Sequence, residues 1–241
     1  MKLKKETIFL FFFIIFQLCI CQNRISSKDG FISPDTESFE GQKPEANWIW
    51  DSGDPNPKNY YLHVRKRFKL MNSINEAKAY VSAFSFAEIY INGEYIDRVP
   101  TNPDPEYQTY EEIDISPYLK LGGNTIAALV YNVGEGLHHR MNGKGGFFFQ
   151  SKIIDSEEKI FKLNTDKSWL VAKAKAWNNK TDHRQIDHTI GRQEKYDARL
   201  AHDGWELNHF NDSNWENATE IGVPPIDPWN KIVVINRERT F

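Results

Sequence analysis

The stretch AEIYINGEYID, Ala87 to Asp97, sets Asn-Gly between two alternating runs. Ile89 and Ile91 flank Tyr90, so one side of the chain is apolar and the other is not. Asn92-Gly93 supplies the two positive-φ residues of a tight type I′ turn, whose twist matches that of the strands it joins. This predicts a β-hairpin. Further strands are predicted at YYLHVRKRFKL (Tyr60 to Leu70), KAYVSAF (Lys78 to Phe84), TIAALVYNV (Thr125 to Val133), GFFFQSKII (Gly146 to Ile154), KIFKL (Lys159 to Leu163) and within Ser168 to Trp177. In KAYVSAF the alternation puts Tyr80 and Ser82 on one face and Ala79, Val81 and Ala83 on the other. Trp48 and Trp50 share one face of a short run and are expected in the core. DISPYLKLGGN (Asp114 to Asn124) reads as a turn of helix stopped by Gly122-Gly123. No helical periodicity longer than about two turns appears before residue 200. Sixteen Phe, ten Tyr and seven Trp suit pleated, half-buried surfaces. The expected fold is all-β: an antiparallel β-sandwich or jelly roll.

The ends read differently. Lys2, Lys4 and Lys5 precede a continuous apolar run from Ile8 to Phe16, the pattern of an export signal over residues 1–21. The run is too short to span a bilayer, and no second one follows. Cys19 and Cys21 fit the small positions before a cleavage site, which implies a secreted or periplasmic product. Leu18-Cys19-Ile20-Cys21 is also a poor lipoprotein signal, the alternative being an anchor at Cys21. Both cysteines lie in this segment, so no disulfide framework is available. A chain of this length can hold a core without one. Residues 22–46 are polar and read as a flexible leader, residues 47–222 as the sandwich, and residues 223–241 as a C-terminal linker ending in an apolar strand, Ile232 to Ile235.

The net charge is −3, with no block of Lys and Arg, so the footprint of a nucleic-acid binder is missing. Adjacent His138 and His139 would point to opposite sides of a strand. His183 and His188 lack a zinc-site spacing. GEGLHHRMNGKGG (Gly134 to Gly146) is glycine-rich without the Gly-Lys-Ser/Thr of a phosphate loop, and no Gly-x-Ser-x-Gly elbow exists.

Candidate site residues gather in GRQEKYDARLAHDGWELNHFNDSNW, Gly191 to Trp215. Acids among aromatic rings can either cleave a sugar or hold one. Cleavage needs two carboxyl groups about 5–5.5 Å apart for retention, or about 6.5–9.5 Å for inversion. Glu194, Asp197 and Asp203 are the available acids. On a strand, Tyr196 would face away from Asp197 and Arg199. Those two either pair with each other or hydrogen-bond vicinal hydroxyls of a sugar. Trp205 either stacks on a sugar ring or plugs the sandwich end. In the loop Pro100 to Tyr110, Asn102, Asp104 and Tyr107 are candidate ligand contacts, with an ordinary solvated loop as the rival reading. In FNDSNW (Phe210 to Trp215), Asp212 and Ser213 suit a turn and Trp215 suits the core.

Several ordered motifs together resemble the N-terminal β-sandwich module of bacterial α-L-rhamnosidases. They are NWIW followed by VRKRFKL, then AYVSAFSFAEIYINGEYID, then RVPTNPDPEYQTYEEIDISPYLKLGGNTIAALVYN, and finally KSWLV, EKYDARL and FNDSNWENA. The resemblance covers roughly residues 46 to 222. It implies a galactose-binding-like jelly roll and L-rhamnose recognition, with calcium in some relatives. In those enzymes an (α/α)6 barrel holds the catalytic acids, and no residue here matches them. The expectation is therefore a secreted, non-catalytic carbohydrate-binding protein. It would recognise L-rhamnose-containing polysaccharide of the pectin or ulvan type, beside a separately encoded glycosidase. The alternatives are a truncated or split α-L-rhamnosidase and a direct glycosidase using Glu194, Asp197 and Asp203. Carbohydrate contacts are expected at Glu194, Tyr196, Asp197, Arg199, Trp205, Asn102, Asp104 and Tyr107.

Overall fold

The computed structural model describes residues 43–99, 108–137, 141–181, 191–229 and 232–234. The expected export signal, the leader up to residue 42, and Asn102, Asp104 and Tyr107 lie outside them. Thirteen strands run through the described residues. They are β1 (Trp48–Trp50), β2 (Tyr60–Leu70), β3 (Ile74–Ala83), β4 (Phe86–Ile91), β5 (Glu94–Val99), β6 (Gln108–Asp114), β7 (Gly122–Asn132), β8 (Phe147–Asp155), β9 (Ile160–Lys162), β10 (Leu170–Lys173), β11 (Glu216–Asn217), β12 (Thr219–Gly222) and β13 (Ile232–Val234). Helical structure among the described residues is confined to two 3-10 turns, Ser116–Tyr118 and Ala198–Leu200.

The strands form two sheets. The first has the order β12-β1-β8-β3-β6-β13, with β9 added to β8. The second has the order β11-β10-β2-β7-β4-β5. Among the described pairs only β13 on β6 is parallel. The protein is therefore all-β, an antiparallel β-sandwich. The predicted hairpin joins β4 to β5, with Ile91 opposite Glu94 and positive φ at Asn92 (54°) and Gly93 (91°). A Cβ on Gly93 would lie 2.4 Å from Leu207, so glycine also admits the neighbouring chain. The Asn92 side chain ties this turn to the start of β7. Its Nδ2 donates to Tyr118 O at 2.8 Å, and its Oδ1 accepts from Thr125 N at 3.0 Å.

The core lies between the sheets. Ala79, Val81, Phe147 and Phe149 of the first sheet meet Leu62, Val64, Ile89, Ile126 and Ala128 of the second, all at 0 % exposure. Alternation along β3 places its residues on the two faces as expected, but the second face is not wet: Tyr80 and Ser82 are buried too. A second apolar layer covers that outer face, built from Trp48, Tyr80, Tyr110, Phe148 and Trp229. The three consecutive phenylalanines of β8 divide accordingly. Phe147 and Phe149 enter the central core, and Phe148 packs 5.6 Å from Trp48.

Trp48 and Trp50 are both buried but do not share a face. Trp48 stacks on Trp229, with ring centroids 4.3 Å apart, whereas Trp50 joins Ile49 in the central core. A register shift between Trp48 and Ile49 in the β1–β12 pairing breaks the period-2 pattern there. The described part of residues 223–241 returns to the first sheet through Trp229 and β13 rather than leading away from it. Gly146 permits the approach, since a Cβ there would lie 2.6 Å from Trp229. Replacement Trp229→Ala is expected to cost about 3–5 kcal/mol, read as a lower denaturant midpoint.

Candidate functional site

The outer face of the second sheet follows from strand phase. Leu62 and Val64 of β2 point into the core, so Tyr61, His63, Arg65 and Arg67 point away from it. By the same alternation Leu129 and Tyr131 of β7, and Phe86, Glu88 and Tyr90 of β4, share that face. It is roofed by the described residues 174–181 and 191–215.

Two anchors hold the roof. The first is Arg65, which is fully buried. Its Nη1 donates to Asp212 Oδ2 at 2.6 Å, and its Nη2 donates to Leu207 O at 2.8 Å. The other Asp212 oxygen accepts from Arg67 Nη2 at 2.6 Å. The Arg65 guanidinium also faces the rings of Phe210 (5.2 Å) and Trp215 (5.8 Å). Burial pulls the Arg65 pKa down and the Asp212 charge pushes it back up. The sequence reading of Asp212 as a turn residue and Trp215 as packed is met, but the ion pair reaches 147 residues back along the chain. The second anchor is an antiparallel bridge between Trp177 and Tyr196. Trp177 stacks on Tyr61 at 4.4 Å, and Tyr196 meets Trp177 edge-on at 4.9 Å. Arg192 steadies this second anchor through a pair with Glu135, Nε to Oε1 at 2.7 Å.

Between sheet and roof is a cleft of about 670 Å³. Four carboxylates line it: Glu88, Glu194, Asp203 and Glu206. Aromatic walls come from Tyr90, Trp177, Tyr196 and Trp205, and the remaining lining includes His63, Leu129 and His202 but, among the described residues, no Lys or Arg. Tyr61 Oη donates to Glu194 Oε1 at 3.4 Å, and Tyr90 Oη donates to Glu88 Oε2 at 3.2 Å. Burial, followed by the neighbouring carboxylate charge, raises the pKa of Tyr90; burial also leads the rise at Tyr61. Both therefore remain hydroxyl donors at neutral pH. The Trp205 ring lies 4.2 Å from His63 and 5.4 Å, edge-on, from Tyr90. Trp205 is half-buried, with one side on the sheet and the other on the cleft.

Of the residues singled out from sequence, Glu194, Tyr196, Asp203 and Trp205 meet at this cleft. Asp197 and Arg199 do not line it. EKYDAR does not form the assumed strand: Tyr196 makes only the isolated bridge to Trp177. Asp197 then caps the 3-10 turn, its side chain accepting from Arg199 N at 3.1 Å. The turn folds the two side chains onto each other, with Nε to Oδ1 at 2.9 Å and Nη2 to Oδ2 at 2.6 Å, exposed to solvent. Their hydrogen bond lowers the Asp197 pKa. The three-acid group Glu194, Asp197 and Asp203 is thus reduced to two acids at the cleft. His63, Glu88, Tyr90, Trp177, His202 and Glu206 were not singled out from sequence. Glu88 and Tyr90 were findable, because they alternate with the core residues Ile89 and Ile91. Among the described residues no three His, Cys, Asp or Glu side chains are grouped to hold a metal ion.

The family model of the α-L-rhamnosidase N-terminal domain matches residues 72–234, more than half of the chain. The chain belongs to this family. An α-L-rhamnosidase of Formosa agariphila is 28 % identical over 162 residues, which cover 64 % of this chain and 17 % of that protein. The crystal structure of a GH78-family rhamnosidase of Bacillus sp. GL1 is similar with a TM-score of 0.72 and 28 % identity, over 80 % of this chain and 20 % of that one. A lectin of Pleurotus ostreatus shares the fold at 18 % identity, with a TM-score of 0.55, over 79 % of this chain and 46 % of the lectin. This rhamnosidase N-terminal domain thus spans about a fifth of the length of the rhamnosidases it matches.

Two outcomes test how the site is built. Asp212→Ala strands the Arg65 charge on a buried face and is expected to cost about 3–5 kcal/mol in denaturant unfolding. His63 is buried and its Nδ1 has no hydrogen-bond partner. Burial, then the neighbouring His202, pulls its pKa from 6.5 to about 3. Below 6.5 the unfolded chain therefore takes up a proton that the folded chain refuses. This contribution to stability is complete above pH 6.5 and is lost as the pH falls toward 3. It amounts to about 5 kcal/mol at most. The variant His63→Phe is expected to flatten the fall in unfolding midpoint between pH 7 and pH 4.

Proposed function

We propose that the chain is an exported carbohydrate-binding module that grips L-rhamnose-containing polysaccharide, of the pectin or ulvan type, without cleaving it. Hydrolysis falls to a glycosidase that it accompanies, encoded separately from it. The observation that carries this reading is the composition of the cleft. Four carboxylates can accept hydrogen bonds from sugar hydroxyls, and the faces of Trp177, Tyr196 and Trp205 can cover the apolar side of a ring. With four acids and, among the described residues, no Lys or Arg in its lining, the cleft suits a neutral ring and disfavours a uronate or a sulfate ester. In an acidic polysaccharide the neutral deoxysugar would occupy the cleft and the anionic units would lie outside it. Family membership and the lectin-like fold support the same reading, as does the Pleurotus ostreatus lectin solved in complex with GalNAc. Affinity for a single sugar would be modest, because a few hydrogen bonds and one stacked ring must offset the ordering of the ligand.

A second reading, hydrolysis by this chain itself, draws on the presence of Glu194 and Asp203 in one cleft. Both readings are tested by titrating the full chain with L-rhamnose and rhamnose-rich oligosaccharides, with and without a chelator, and following tryptophan fluorescence. Saturable binding is expected, weakened at least about tenfold by Trp205→Ala, a loss of about 1.4 kcal/mol. An aryl rhamnoside is expected to remain intact. Failure to bind any of these sugars removes the first reading. Turnover of the aryl rhamnoside that disappears in Glu194→Gln establishes the second.

A further inference from the structure

Among the described residues, two tyrosines have side chains exposed to solvent: Tyr95 at 53 % and Tyr196 at 52 %. An exposed aromatic ring is costly to hydrate and is common where a ligand or partner covers it. One of them lines the cleft and the other stands beside it. Tyr196 sits on its Trp177 wall. Tyr95 lies outside the cleft lining, on β5, opposite Tyr90 in the hairpin register. Its ring meets Tyr90 edge-on at 5.6 Å. The rings therefore run in sequence from Tyr95 to Tyr90 (5.6 Å), to Trp205 (5.4 Å), to His63 (4.2 Å).

The direction of this track follows from the sheet order. His63, Leu129, Tyr90 and Tyr95 stand on β2, β7, β4 and β5, which are successive neighbours. Adjacent strands lie about 4.8 Å apart, so the track crosses roughly 14 Å at right angles to the strands. That is longer than one sugar ring. It also ends at the edge of the sheet, where, among the described residues, no further strand pairs with β5. Polar groups accompany the track. Glu88 accepts from Tyr90 Oη, and Arg98, opposite Glu88 in the register, lies 3.7 Å from the Phe86 ring with its side chain exposed.

We propose that Tyr95 is the platform of an outer subsite, so that the cleft and the β5 edge together bind a neutral oligosaccharide of more than one unit. This rests on the sugar-binding reading above. One ring occupies the cleft beside Trp205, and the next stacks on Tyr95 beyond the Glu88 carboxylate. Recognition is then of a stretch of chain rather than of a chain end alone. An exposed tyrosine spends little ordering entropy when a ligand covers it, which makes it an efficient extension of a shallow site.

The test is calorimetric titration of the full chain with L-rhamnose and with rhamnose-containing oligosaccharides of two to four units. Affinity is expected to rise at least about tenfold from one unit to three. Tyr95→Ala is expected to lower affinity for the trisaccharide about five- to tenfold, the size of one lost aromatic stacking contact. It should leave L-rhamnose binding unchanged, and Tyr95→Phe should retain the length dependence. Because Tyr95 is exposed, its unfolding midpoint in the Ala variant should match the parent. Equal affinity for all lengths, or an equal loss for L-rhamnose and the trisaccharide, overturns the outer subsite while leaving the sugar-binding reading in place. A chain that binds no sugar of any length overturns both.

Discussion

The buried guanidinium of Arg65 is the constraint on which the candidate site depends. A cation at 0 % exposure on the back of a sheet is tolerable only if its charge is paired, and here both terminal nitrogens find acceptors although Nε does not. The acceptors come from one short stretch, Leu207 to Asp212, more than a hundred residues later in the chain. Asp212 shares itself between Arg65 and Arg67, so a single carboxylate fixes the roof against two positions of β2. The residues just before this stretch, Ala201 to Glu206, therefore hang from a fixed point and supply one wall of the cleft. The opposite wall hangs from the Trp177–Tyr196 bridge and its stack on Tyr61.

The same logic explains why this sandwich is dry on more than its inner faces. Trp48 and Trp229 close the back of the first sheet, and the Arg65 anchor with its aromatic neighbours closes the back of the second. Four layers are packed where an ordinary two-sheet fold has two faces in water. One region of the second sheet escapes the roof, toward β4 and β5. There the edge strand carries Glu94, Asp97 and Arg98, charges that discourage pairing with another chain.

The legible parts of the sequence were local. Asn92-Gly93 announced its turn because few other residue pairs adopt positive φ twice in succession. β2 was read with the bounds it has, since its alternation is long and uninterrupted. At the site, aromatic and acidic residues crowded into one segment were sufficient to flag Glu194, Tyr196 and Trp205. The same local reasoning misplaced Asp197 and Arg199. The segment makes one isolated bridge at Tyr196 and then a 3-10 turn capped by Asp197, and an alternating pattern of residue types does not by itself show that a strand forms. It also put Trp48 and Trp50 together, because a bulge of one residue leaves no mark in composition.

Sequence by itself determined the all-β class, the hairpin, the likeness to rhamnosidase N-terminal domains and the two alternating faces of β3 and β4. These depend on backbone preferences and on a periodicity that a few neighbouring residues suffice to express. Only the tertiary structure decided what covers the outer faces, that His63 and Glu88 share a cleft with Glu194 and Trp205, and that Asp197 spends its charge on Arg199. Those outcomes come from contacts between segments far apart in the chain. Their partners are chosen by burial and by the need to satisfy buried charge, which no single stretch of sequence contains.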